Sequence, residues 1–309
     1  MRNSIEFLLA ILGFLISAQV AHAQEDIERR MGIEGGGSAW TYSFFSIASV
    51  ETSVLDEGGA SVGSYNYFGS SYRIDSDSKF GIRVPFLFST AGFNRYGDNN
   101  AQEARISDVF LAYSLYDLGY IGPVDLSGTF KVYLPTSEFS QNQKMITRLR
   151  FDLYAEMAVG RFSTLNYVVK PDIYIQSQNA YFDPLTKTFP DGVYVTNPIR
   201  ANKQAELEHY LELVADYNKY LAIKPAIGFE ETWYHESKAE NIKARHNTSA
   251  KLSLGFEIRP TRGLTFTLGI SNKPRLTPTR NRAGVVTEEV ALFRPKDNEI
   301  YLMTNAALF

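Results

Sequence analysis

Residues 205–216 read AELEHYLELVAD, and the two sides of that stretch differ in kind. Ala205, Leu207, His209, Leu211, Leu213 and Ala215 carry one face, and Glu206, Glu208, Glu212 and Asp216 fall on the other. Alternation with period 2 is the mark of a β-strand, whose successive side chains point to opposite faces. An apolar face backed by several carboxylates fits a strand with lipid on one side and a polar lumen on the other. A soluble barrel would reverse the polarity and pack its interior with apolar groups.

Working outward, the same pattern recurs. It runs through Phe80–Phe88, Val109–Leu115, Val124–Leu134, Leu149–Val159, Leu165–Ile175, Leu221–Phe229, Ala250–Ile258 and Leu264–Ile270. Less regular strands are expected at 38–51, 61–74 and 299–309, which brings the number to twelve. The runs are longer than the ~5–6 residues usual in soluble sheets and match the ~9–11 that cross a bilayer on a tilt. Interleaved with the apolar residues are the candidates for lining a lumen: Lys131, Arg148, Arg150, Asp152, Lys170, Asp172, Glu206, Glu208, Glu212, Lys224, Glu230 and Lys251.

The connections sort themselves. Long polar segments near 52–60, 91–103, 135–145, 177–203, 235–247 and 272–298 alternate with short ones near 75–78, 117–123, 160–164, 217–220 and 260–263. Outer-membrane barrels place long loops outside the cell and short turns in the periplasm. The expected fold is therefore all-β: an antiparallel up-and-down transmembrane β-barrel of about 12 strands, with both termini periplasmic.

The N-terminus agrees with export. One arginine, an apolar run (FLLAILGFLISAQV) and Ala21-His22-Ala23 form a secretory signal peptide cleaved after Ala23. That leaves a short periplasmic segment, 24–37, and the barrel, 38–309, in the outer membrane of a Gram-negative bacterium. The chain contains no cysteine, which excludes disulfides and thiolate metal sites. A net charge of −3 gives no nucleic-acid footprint. The 19 Tyr and 21 Phe suit strands and membrane interfaces. Neither metal-ligand spacing nor a phosphate loop is visible, so no cofactor is expected. The expected partners are outer-membrane lipid, the barrel-assembly machinery and a small-molecule solute.

In EIYLMTNAALF, residues 299–309, Tyr301, Met303, Asn305, Ala307 and Phe309 share a face. This resembles the C-terminal insertion signal of outer-membrane barrels, with Tyr301 and Phe309 as its aromatic members and Asn305 as a polar departure. VVKPDI (168–173) and AIKPAI (222–227) each place a proline, Pro171 or Pro225, on the lipid face. Proline cannot donate to a ladder, so each marks either a bulge or a wall weakened toward lipid. Across the turn at 217–220, Glu212 is expected opposite Lys224 as a lumen pair. His209, on the lipid face, has no serine in the adjacent strand to activate, and enzyme chemistry is not expected from it.

Residues 107–140, SDVFLAYSLYDLGYIGPVDLSGTFKVYLPTSEFS, are similar to the outer-membrane family of the MetA pathway of phenol degradation. That family is related to barrels that transport long-chain fatty acids and aromatic hydrocarbons. The resemblance implies passage of small, often hydrophobic compounds across the outer membrane. The alternatives are a structural or adhesive barrel that binds a partner through its loops and, less favoured, a lipid-acting enzyme.

Overall fold

A computed structural model describes residues 39–307 apart from short stretches at 56–58, 94–98, 101, 183–185, 190–191, 196–198, 237–244, 262, 278, 281–285 and 289. The expected signal peptide, the segment 24–37 (but not the barrel itself) and Phe309 lie outside the described residues.

Twelve long strands form a single closed antiparallel sheet. They are β1 (Trp40–Glu51), β2 (Val62–Arg73), β3 (Ser78–Ser89), β4 (Phe110–Ile121), β5 (Val124–Tyr133) and β6 (Met145–Ala158). They continue with β7 (Ser163–Gln176), β8 (Lys203–Asn218), β9 (Leu221–Tyr234), β10 (Arg245–Thr261), β11 (Leu264–Asn272) and β12 (Asn298–Ala307). Each strand pairs with the next, and β12 closes on β1 from Ser43↔Ala307 to Glu51↔Glu299. Closure leaves no free edge strand, as hydrocarbon requires, although β1 and β2 share backbone pairs over three residues alone.

Polarity settles which solvent surrounds it. Phe256 and Leu268 point outward and are each 51% exposed, whereas the inward Lys170 and Asp152 are 1% and 0% exposed. An apolar exterior around a charged interior is stable in a bilayer and not in water. The chain is an outer-membrane barrel.

The facing of strand β12 is set by its neighbour. It pairs with β11 through Ile300↔Ile270 and Leu302↔Leu268, and both β11 residues are exposed on the outside. Ile300 and Leu302 therefore face lipid, and Tyr301, Met303 and Asn305 are buried inside. Tyr301 is not an aromatic of the lipid belt. Its ring fills space left by two glycines: an added Cβ would stand 2.4 Å from its Cζ at Gly269 and 2.9 Å from its hydroxyl at Gly255.

Of the two expectations for Pro171 and Pro225, a bulge and a weakened wall, the ladders exclude the bulge. At Pro171 the β6–β7 ladder runs from Val169↔Leu153 to Asp172↔Arg150, losing the pairs between without changing register. At Pro225 the β8–β9 ladder likewise passes from Glu212↔Ala226 to Ala215↔Ile223. Neither proline makes a bulge. A proline does stand at a bulge at Pro85, where β3 leaves β4 at Arg83↔Phe110 and resumes with the short strand Glu103–Ile106 at Phe86↔Ile106. Residues 107–109 thus oppose only Val84 and Pro85, and Ser107 donates its N–H to the Pro85 carbonyl at 3.0 Å.

The β1–β2 seam is closed differently from the others. Its ladder covers only Trp40–Tyr42 against Ser70–Tyr72. Arg83 donates to the Ser70 carbonyl (3.2 Å) and the Ser71 hydroxyl (2.9 Å) where that ladder stops. Farther along, side chains join the strands: Phe44 against Phe68 at 5.1 Å, Phe45 stacked on Tyr67 at 4.9 Å, and the Ser46 hydroxyl donating to Asn66 Oδ1 at 2.9 Å.

Candidate functional site

The alternation that forms the strands also turns their charges inward. All twelve charged residues expected to line the lumen lie on the inner face, from β5 round to β10. There they form a nearly continuous ion-pair network. Asp152 accepts from Lys131 at 2.5 Å and from Arg150 at 2.6 Å, and Asp172 accepts from Arg148 Nε at 2.8 Å. Lys170 meets Glu208 at 2.9 Å, and Lys251 bonds the other oxygen of the same carboxylate. Two ammonium groups on one carboxylate need further compensation when buried. The Tyr210 ring supplies it, with Lys170 and Lys251 at 4.4 and 4.8 Å from its centroid.

Glu212 and Lys224 are not directly opposite. The short turn at 219–220 sets the register so that Glu212 pairs with Ala226. The two charges still meet on the diagonal at 3.5 Å, and Lys224 is equally close to Glu257 on β10. Long side chains reach diagonal neighbours on one face of a sheet.

Above this network, at the end carrying the long loops, the lumen opens into a cavity of about 560 Å³. Arg148, Arg150, Glu206, Glu208 and Glu230 line it, with Tyr65, Tyr133, Tyr174, Lys203, Lys273 and residues of the bulged 103–108 segment. The remaining charges on its walls, Asp108 apart, are paired as well. Lys203 binds Glu206 at 2.5 Å, Lys273 binds Glu230, and Arg105 lies 3.4 Å from Glu103. Burial alone would lower the Lys273 ammonium, but the Glu230 carboxylate beside it raises it above the ordinary lysine range.

Beneath the cavity, wall residues lose contact with water. Lys131, Asp152 and Lys170 are buried, as are Val214, Thr267 and Asn305 farther toward the short turns. Residues lining an open pore would stay accessible along its length, so the lumen is closed at this level.

The other half of the lumen wall is aromatic. Phe45, Tyr67, Phe110 and Tyr133, on β1, β2, β4 and β5, follow one another at ring separations of 4.9, 6.0 and 4.8 Å. Arg148 continues the series, lying 4.5 Å from the Tyr133 ring and 5.0 Å from Tyr174. These aromatics were not legible as lumen residues, because a single ring suits either a lipid belt or a lumen.

The stretch quoted for its family resemblance has a structural role. Asp108, in the bulge, accepts the Ser137 N–H at 2.9 Å and the Ser140 hydroxyl. Thr136 Oγ1 accepts the Val109 N–H at 2.8 Å and donates to the Ser107 carbonyl at 3.2 Å. Ser137 caps the short helix α1 (Glu138–Asn142) by accepting from the Ser140 N–H. Ser107-Asp108 and Thr136-Ser137 thus clamp one long loop over the cavity rim. Asn202, fully buried, ties two further segments to it by donating to the Gln143 (3.0 Å) and Gln178 (2.7 Å) carbonyls.

His209 faces outward, as expected. Its Nδ1 lies 3.3 Å from the Tyr167 hydroxyl, and its ring packs 5.8 Å from Phe229.

No protein-family model and no curated protein matches the chain. Solved structures do. An outer-membrane channel from Pseudomonas putida F1 superposes with a TM-score of 0.53 at 10% identity, covering 89% of this chain and 97% of that one. The translocator domain of the autotransporter NalP from Neisseria meningitidis gives 0.45 at 12% identity, covering 99% and 98%. A mutant of the TodX monoaromatic hydrocarbon channel gives 0.42 at 9% identity, covering 88% and 91%. At these identities the likeness is one of fold.

Proposed function

We propose that this protein passes small solutes across the outer membrane, admitting them first into the cavity at the long-loop end. The observation that carries this reading is the 560 Å³ cavity, set directly above a buried layer of ion pairs. Its volume falls within the ~300–1,000 Å³ of small-molecule sites. The Pseudomonas putida F1 channel supports the reading at the level of fold. Passage requires the Lys170–Glu208–Lys251 layer to part, so the barrel is a gated route and not a standing pore. The chain acts without catalysis on this view; among the described residues His209 contacts Tyr167 and Phe229.

The test is osmotic swelling of liposomes carrying the purified full chain. Swelling with a small sugar well above that of protein-free liposomes is expected. Swelling equal to the protein-free control would refute solute passage.

A further inference from the structure

On the reading of this cavity as the entrance to a route, we infer that it takes uncharged solutes bearing several hydroxyl groups, and discriminates against charged ones. Ten charged side chains line it, five cationic (Arg105, Arg148, Arg150, Lys203, Lys273) and five anionic. They balance in number, and each is already engaged. Nine are in the ion pairs described above, and the tenth, Asp108, holds the Ser137 amide and the Ser140 hydroxyl.

This arrangement treats solutes differently according to charge. A carboxylate that enters meets cations whose charge Glu206 or Asp172 already neutralises, and it gains a counter-ion of its own only by displacing one of them, which leaves a confined carboxylate without its partner. Removing one partner of such a pair costs more than the pair itself is worth. A hydroxyl group meets no such obstacle. A guanidinium has five N–H donors and a carboxylate about four acceptor sites, so an intact pair keeps spare capacity on both sides. Arg148 spends Nε and one terminal nitrogen on Asp172, and Lys203 has a single carboxylate partner. The hydroxyls of Tyr65, Tyr133 and Tyr174 add groups that both donate and accept.

Glucose, gluconate and glucosamine have nearly the same size and differ in charge. Their entry into liposomes carrying the full chain, corrected for protein-free liposomes, reads the preference directly. Glucose should enter at least about fivefold faster than either ion, a modest preference for keeping pairs intact. Entry of gluconate or glucosamine as fast as glucose overturns the inference while leaving the route itself intact. Entry of none of the three overturns the route and the inference together. A second variant keeps the mechanism testable: Glu206→Gln frees Lys203 and should raise gluconate entry relative to glucose. An unchanged ratio in a heat-modifiable, folded Glu206→Gln barrel also counts against the inference.

Discussion

Lys170 and Glu208 stand opposite each other on β7 and β8, 2.9 Å apart, and Lys251 closes on the same carboxylate from β10. Replacing Glu208 by glutamine leaves two ammonium groups confined without their counter-ion. Loss of one partner of a buried pair costs about 3–5 kcal/mol. The variant should therefore unfold at lower temperature, scored by loss of the heat-modifiable band. Removing all three charges together, as Lys170→Met, Glu208→Leu and Lys251→Met, should cost less than Glu208→Gln alone. A triple variant weaker than the single one would mean that the three groups do not act as a unit.

A second relationship is steric. Tyr301 lies over Gly269, where an added Cβ would meet the ring at 2.4 Å. Gly269→Ala should lower stability by about 1–3 kcal/mol, the usual cost of overpacking. Combining it with Tyr301→Leu should recover part of that loss, since the ring is gone while the Leu254 carbonyl, 2.7 Å from the added Cβ, remains. Additive losses in the double variant would place Tyr301 elsewhere.

The Asp108 clamp yields a prediction about the rim alone. Asp108→Ala removes the acceptor of both the Ser137 amide and the Ser140 hydroxyl. Protease added to intact cells should then cut within 134–144 markedly faster than in the parent protein, while the barrel keeps its thermal stability. A cleavage rate unchanged by the substitution would show that Asp108 does not hold the loop.

Most strands could be read directly because their two faces differ in chemistry. In AELEHYLELVAD the carboxylates leave one choice of inside, and β8 obeys it. EIYLMTNAALF offers no such contrast, since both of its faces are largely apolar. The β11 ladder, not the residue pattern, decides which of the two meets lipid. Register was similarly exposed to small errors: Glu212 and Lys224 share a face as expected, but the turn shifts them onto a diagonal. Period 2 identifies faces and not partners. A proline alone does not tell a bulge from a local loss of pairing, since loss of one donor does not by itself insert a residue, whereas the bulge at Pro85 depends on the length of the opposite strand. The Asp108 clamp joins segments nearly 30 residues apart through loop geometry that no local pattern encodes.

The most direct test of the closed, ion-paired lumen is single-channel conductance in planar bilayers. It compares the parent protein with the triple variant Lys170→Ala, Glu208→Ala, Lys251→Ala. Truncating all three removes the layer without stranding a charge and widens the lumen at that level. Conductance steps several-fold larger than the parent's are predicted, because the charges and side-chain bulk at a constriction set conduction. Steps of the parent's size from a correctly folded variant would contradict closure at Lys170, Glu208 and Lys251.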